Sequence, residues 1–299
     1  MVRIHPPQRM ARTEITTRGS TMTMQPGPYT EHPELDALFA RHAELLQAAL
    51  GDNFVGYYLQ GSLATGGFDE SSDVDFIVVI RSELSGREVQ QVQAIHNQIH
   101  QRDTKWAHRL EYSFFPLAVL RTPSSPFRGD GVNTENQQLW YFDNGSKTIE
   151  RSDHCNTLVV RWTLHNCGVT VAGPPISSIT TPVSPDDLRR EIRHTMLGWG
   201  RILLGNPGKT SNRFYQAYLV LNYCRMLSDL HSGTIGSKKA GMDWAKEHLD
   251  GKWTDLIDYS WKERQAPGVS VKQPADPEKY SQTLDFIRYA LSLAAAFDV

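Results

Sequence analysis

Two aspartates one residue apart, Asp73 and Asp75, enter the β-forming run Val74 to Ile80 within the stretch GSLATGGFDESSDVDFIVVI, residues 61–80. On a strand the side-chain period is 2, so both carboxylates point to one face. Two carboxylates about 5 to 6 Å apart repel by about 3 kcal/mol at an effective dielectric near 20, so folding alone gives little reason to align them. A divalent cation reverses that sign. Gly61-Ser62 and Gly66-Gly67 form a small-residue turn just upstream that suits phosphates, and the natural occupant of such a place is Mg²⁺ carrying a nucleoside triphosphate. The plainer reading, a solvated strand end, is disfavoured by the Gly-Ser context.

These residues need elements to hold them. Leu35, Leu38, Phe39, Ala43, Leu45, Leu46, Ala49 and Leu50 recur at helical spacing, which predicts an amphipathic helix over 32–50 ended by Gly51-Asp52-Asn53. Phe54 to Leu59 reads as a buried strand, the Gly-Ser turn follows, and Val74 to Ile80 is the next strand. A moderate helix is predicted over 86–101, with Val89, Val92, Ile95 and Ile99 as its apolar stripe. Leu110 to Phe115 is the third strand, stopped by Pro116, and Glu111 is the odd residue within it. Thr122 to Asn133 is a loop; Asn144-Gly145 suggests a hairpin between Trp140-Tyr141-Phe142 and Thr148-Ile149.

After Asp153 the character changes. A helix is expected over 154–167, then a Pro-rich connection over 168–185, with Ser184-Pro185-Asp186-Asp187 capping the next helix. Further helices are expected at about 186–204, 211–231, 237–249, 252–263 and 277–297. The expected organisation is a disordered tail over 1–29, an α/β domain over 30–150 and an all-helical domain over 151–299. The Arg- and Thr-rich, acid-poor start also faintly resembles an organelle transit peptide, and Met10, Met22 and Met24 equally suit a start codon set too far upstream.

The chain of 299 residues carries 31 basic and 33 acidic residues, a formal net charge of -2, and so lacks the basic excess usual in nucleic-acid binders. No apolar run approaches the roughly 20 residues of a membrane span. The three cysteines, Cys155, Cys167 and Cys224, show neither a CxxC nor a paired Cys/His spacing, and read as core thiols of a reducing compartment. The expectation is a cytoplasmic protein, monomeric or weakly dimeric, with neither nucleic acid nor membrane as partner.

Gly61-Ser62 followed by Asp73-x-Asp75 on the next strand, with a carboxylate on a third, resembles the nucleotidyltransferase superfamily. The chain looks closer still to the aminoglycoside 3''-adenylyltransferases that inactivate streptomycin and spectinomycin. Arg109-Leu110-Glu111, the Thr181-Pro182-Val183 helix entry, and Arg225 followed thirteen residues later by Lys238 extend the similarity over roughly residues 50–295. The resemblance implies a polymerase beta-like mixed-sheet nucleotidyltransferase domain followed by a helical bundle, with the active site in the cleft between them. It further implies that Asp73 and Asp75 hold two Mg²⁺ ions, that Glu111 is the catalytic base, and that Gly61, Ser62, Arg225 and Lys238 bind the phosphates of ATP. The reaction it implies is transfer of AMP to a hydroxyl of a small acceptor.

The departures lie at the acceptor end. Where the aminoglycoside enzymes set acidic side chains against the drug's amines, this chain has Ser211 to Tyr218, with no carboxylate and one cation. Trp140 could correspond to the family's drug-stacking tryptophan, and Tyr215 and Tyr218 are further acceptor candidates. The rival readings are a protein-modifying nucleotidyltransferase and a regulatory nucleotide-binding module of weak transferase activity; the presence of all three carboxylates and both cations argues against the latter. His154 and His165 read as packed or solvent-facing.

Overall fold

In the computed structural model, which describes residues 24–102, 104–122 and 138–299, the first half builds a mixed six-stranded sheet. Helix α1 (Pro33–Leu50) leads through a short 3-10 turn into β1 (Phe54–Leu59), followed by the one-turn helix α2 (Gly61–Ala64) and β2 (Val74–Ile80). Helix α3 (Gly86–His100), β3 (Leu110–Pro116), α4 (Leu117–Arg121), β4 (Leu139–Phe142), β5 (Glu150–Ser152), α5 (Leu158–Cys167) and β6 (Val169–Ala172) complete it. The strand order is β5-β4-β3-β2-β1-β6, with β2 and β3 parallel and every other pair antiparallel.

The sheet is covered on both faces, which is why β1 to β3 read as near-continuous apolar runs. One core joins Phe39, Leu46, Tyr57, Phe76, Val78, Tyr112 and Phe142 under α1 and α3; the other joins Tyr58, Ile77, Val79, Phe115 and Tyr141 to Leu120 of α4 and Leu164 of α5. Helix α3 begins with a reciprocal capping box between Ser85 and Glu88.

Two expectations change here. The Pro-rich connection contains β6, which pairs antiparallel with the outer edge of β1, so the sheet takes a strand from well beyond residue 150. Met24 and Gln25, read as part of a tail, lie against that strand: Met24 bridges Ala172, and the Gln25 amide donates to the Val171 carbonyl at 3.0 Å. Residues 1–23 and nearly all of the loop expected at 122–133 fall outside the described residues.

The second half is helical, as its periodicity predicts: α6 (Pro185–Gly205), α7 (Arg213–Ser232), α8 (Lys238–His248), α9 (Thr254–Gln265) and α10 (Pro277–Ala296). Ser184, Asn212, Ser237 and Asp276 each cap a helix N-terminus through the side chain. Their core runs through Leu188, Met196, Leu219, Tyr223, Leu227, Ile257, Phe286 and Ala290. Helix α7 is the bundle's axis, packing on α6, α8, α9 and α10. Its partly open positions Tyr215, Tyr218 and Arg225, with Asn222 between them, fall on one stripe at helical spacing. Among the described residues no helix is long and apolar enough to cross a membrane.

Candidate active site

The parallel register of β2 and β3 sets Asp75 directly opposite Glu111. Both side chains therefore stand on the same face of the sheet, on strands roughly 4.8 Å apart. Gly61 closes the position from above. Its φ is +59°, and a Cβ there would come within 2.2 Å of an Asp75 carboxylate oxygen. Both the backbone turn and the close approach demand glycine. Gly61→Ala is expected to lower the transfer that the resemblance implies by about 100-fold, because a displacement near 1 Å at a reacting group costs that much, while the helical half keeps its far-UV circular dichroism; steady-state kinetics and spectra check the two parts separately.

Asp73 lies one residue before β2, and the Val74 amide beside it donates to the Arg109 carbonyl at 2.8 Å. The Asn144 side-chain amide, from the β4–β5 turn, donates to the Asp73 carboxylate. His154 Nε2 stands 2.9 Å from Glu111 Oε1, with Glu111 largely buried and the imidazole largely exposed. That hydrogen bond holds the His154 pKa above its usual value. Tyr141, on the same face as Glu111, packs its ring 5.5 Å from that of His154 and donates its hydroxyl to Asp143 at 2.9 Å.

The helical half supplies cations. Lys238 is the first residue of α8, its Nζ 5.2 Å from the Tyr218 ring centre. Burial, and then the charges of Arg225 and Arg264, push its pKa down to about 7 against the opposing pull of Asp73 and Asp75. Arg225 reaches the Asn222 side chain at 3.3 Å, while its Nε is buried without a protein partner, the kind of donor a phosphate oxygen would satisfy. Helices α7 and α8 meet so closely that a Cβ at Gly241 would lie 2.4 Å from the Arg225 Cα, which ties the two cations into one unit. Beside them, buried Asp229 accepts the Gly236 amide at 2.9 Å in the turn leading to Lys238.

The carboxylates are set for a positive partner. Burial, reinforced by Glu111 and Asp73, pushes Asp75 up to about 8, and burial with Glu111 raises Asp73 as well. Hard oxygen donors held against their own repulsion fit Mg²⁺. Among the described residues no group of three or more His, Cys, Asp or Glu side chains forms an ion cage. The donor set thus fits an ion that arrives with phosphate oxygens and water as its other ligands, the usual habit of Mg²⁺.

Among the residues singled out in the sequence, Gly61, Asp73, Asp75, Glu111, Lys238, Arg225 and Tyr218 meet in this one region; burial raises the Tyr218 pKa, and Asp73 and Glu111 add to the rise while Arg225 opposes it. Ser62 lies in α2, its carbonyl accepting the Gly67 amide at 3.0 Å. Tyr215 packs edge-on against Tyr218, and Phe214 stacks on Tyr218 at 5.3 Å. Trp140 stands elsewhere. Its cross-strand partner is Phe114, so it occupies the α1/α3 face of the sheet, opposite to Glu111, under the guanidinium of Arg151 at 5.0 Å. His154 and Asn144 were not legible as site residues; each arrives from a turn beyond β4, and only the hairpin signal at Asn144-Gly145 hinted that a turn existed there.

The comparisons fall on the same two halves. A model of the nucleotidyltransferase domain matches residues 45–123, and a model of the aminoglycoside adenylyltransferase C-terminal domain matches residues 178–290. The spectinomycin 9-adenylyltransferases of Staphylococcus aureus strains Mu50 and N315 are 25% identical over 226 residues, 73% of this chain and 81% of theirs. A spectinomycin adenyltransferase from Enterococcus, solved with ATP and spectinomycin, shares the fold at a TM-score of 0.63 and 14% identity, over 87% of this chain and 100% of that one. The chain thus has the architecture of a nucleotidyltransferase domain followed by a C-terminal helical one, resembling the aminoglycoside (spectinomycin) adenylyltransferases.

Proposed function

We propose that this protein transfers AMP from ATP to a hydroxyl of a small-molecule acceptor, in a Mg²⁺-dependent reaction of the aminoglycoside-adenylyltransferase type. The observation that carries the reading is the register of Asp75 against Glu111 beneath Gly61, faced by Lys238 and Arg225 from the helices. The acceptor hydroxyl oxygen bonds to the α-phosphorus of ATP, the bond from that phosphorus to the bridging oxygen breaks, and pyrophosphate leaves. Glu111 takes the hydroxyl proton, oriented by His154. Lys238, Arg225, Ser62 and the amide of Gly61 bind the triphosphate. Asp73 and Asp75 would hold two Mg²⁺ ions, which would supply charge neutralisation on the phosphates.

Arg213, at the mouth of the acceptor end, holds Glu263 of α9 in a two-point ion pair, one contact at 2.9 Å. That carboxylate is therefore already neutralised. Beyond it the stripe is aromatic, with Phe214, Tyr215 and Tyr218 backed by Trp199. Such a surface favours an acceptor with ring faces and few positive charges over a polycation. With ATP as donor, the reaction belongs in the cytoplasm.

Incubation with Mg²⁺ and α-labelled ATP, with and without spectinomycin, streptomycin and cell extract, tests the reading. Pyrophosphate release that depends on a small acceptor is the expected result. Label on protein would move the acceptor to a side-chain hydroxyl, and ATP binding with no transfer under any of these conditions would overturn the proposal.

A further inference from the structure

The turn that delivers Asp73 is gripped from both halves of the molecule. Asp69 to Ser72 closes on itself: the Asp69 carboxylate accepts from the Ser71 amide at 2.9 Å and the Ser72 hydroxyl at 3.0 Å, and the Ser72 amide donates to the Asp69 carbonyl at 2.9 Å. From behind, Arg109 donates to the carbonyls of Glu70 and Ser72, and Lys105 pairs with Glu70. From the front comes Arg264, 195 residues away at the end of α9. Its Nε and Nη2 clasp the two Asp69 oxygens at 3.1 and 2.9 Å, and the Arg264 carbonyl accepts the Ser71 hydroxyl at 3.0 Å. At the turn's upstream end, Gly67 lies so close to Ser237, the cap just before Lys238, that a Cβ there would meet the serine Cβ at 2.7 Å.

Among the described residues, ion pairs such as Arg41–Glu44, Arg190–Asp187, Lys239–Asp243 and Arg288–Asp285 join exposed partners and contribute little to stability. Arg264 differs. Its side chain is 13% exposed, the geometry is a two-point fork, and the partner stands four residues before Asp73. Its charge bears on both sides of the cleft, opposing the rise that burial and Glu111 impose on Asp73 and adding to the fall that burial and Arg225 impose on Lys238.

We propose that Arg264 is a positioning residue of the active site: by clasping the Asp69–Ser72 turn from the helical half, it sets where Asp73 stands relative to Lys238. Its link to nucleotide use rests on the function proposed above, whereas its hold on the turn does not. A turn and a helix end 195 residues apart in the chain are thereby registered against each other without touching substrate.

Amide hydrogen exchange and nucleotide kinetics on the full chain test it, with the β2 amides as internal reference. In Arg264→Ala, exchange at Ser71 and Ser72 should quicken at least about 10-fold while β2 is unchanged, and kcat/KM for ATP should fall about 10- to 100-fold, mostly through KM. Asp69→Asn, which keeps an acceptor for the turn's own hydrogen bonds, should reproduce both changes. Arg264→Lys should restore less than half of the loss on a logarithmic scale, since an ammonium lacks the planar fork. The double variant Arg264→Ala/Asp69→Asn should be no worse than either single, as expected of one shared interaction. Unchanged exchange at Ser71 and Ser72 in Arg264→Ala, or full additivity in the double variant, would overturn the inference. If the wild type transferred no nucleotide, the exchange arm and the affinity of a fluorescent ATP analogue would still decide it, while the function proposed above would fall separately.

Discussion

Asp75→Asn is expected to lower transfer by about three orders of magnitude and to stabilise the fold at the same time. Loss of a carboxylate proposed to hold Mg²⁺ against the triphosphate removes roughly 4 kcal/mol of transition-state stabilisation, a fall of about 1,000-fold in kcat/KM. The stability change runs the other way because Asp75 is buried beside Glu111 and Asp73, and its folded-state pKa is pushed up to about 8. Between the ordinary carboxylate range and about pH 8 the unfolded chain has released a proton that the folded chain keeps. Stability therefore falls as pH rises through that window in the absence of a cation. Asparagine carries no such charge. Thermal melting without nucleotide should show a higher midpoint for Asp75→Asn at pH 8, by roughly 2 to 4 °C for each kcal/mol relieved, and a difference that shrinks towards pH 5. Added Mg²⁺ with ATP should raise the midpoint of the wild type and leave the variant nearly unmoved.

Lys238→Met is expected to weaken ATP binding by about 100-fold, since a charge-assisted contact to phosphate in a partly buried site contributes about 2 to 3 kcal/mol. The wild type itself should show a pH dependence that the variant lacks. With its free-state pKa pushed down to about 7, by burial first and then by Arg225 and Arg264, Lys238 is half deprotonated near neutrality. A triphosphate favours the ammonium form, so binding takes up a proton, and affinity should fall as pH rises above 7, by at most tenfold per unit. Titration calorimetry in buffers of different ionisation enthalpy would read this uptake directly. Lys238→Arg should bind ATP with a flat profile between pH 7 and 9, because a guanidinium keeps its charge there. A wild-type affinity independent of pH across that range would remove Lys238 from the phosphate site.

How far the molecule was legible in its sequence depended on how local each feature is. The helices of the second half follow from apolar spacing and from Ser, Asn and Asp caps, signals contained within about 20 residues. The alignment of Asp73 and Asp75 and the oddity of Glu111 follow from strand period within runs that are otherwise apolar. Strand β6 was hidden because Val169 to Ala172 is four residues long, flanked by glycine and proline, and has meaning only as a partner for β1. Trp140 was misplaced for a matter of parity: whether it shares a face with Glu111 depends on the β3–β4 register, which pairs it with Phe114 and gives the Glu111 face to Tyr141 instead. His154, Asn144 and Arg264 reach the site from turns and helix ends, across separations of up to 195 residues, with no motif of their own.

The open stripe of α7, proposed above as the acceptor end, is constrained in how it can change. Tyr215, Tyr218, Asn222 and Arg225 share one face, joined by Asn222, which donates to the Tyr218 carbonyl at 2.8 Å and accepts from Arg225. Arg225 is in turn locked against α8 at Gly241. One residue inserted or deleted between Tyr218 and Arg225 would rotate the aromatic end by about 100° relative to the cations. On the function proposed above, new acceptor preferences are reachable by exchanging side chains at 214, 215 and 218, and closed to changes of length. The helix behaves as a fixed-pitch shaft with interchangeable fittings at one end, so a variant library aimed at acceptor range should vary composition there and leave residue count alone.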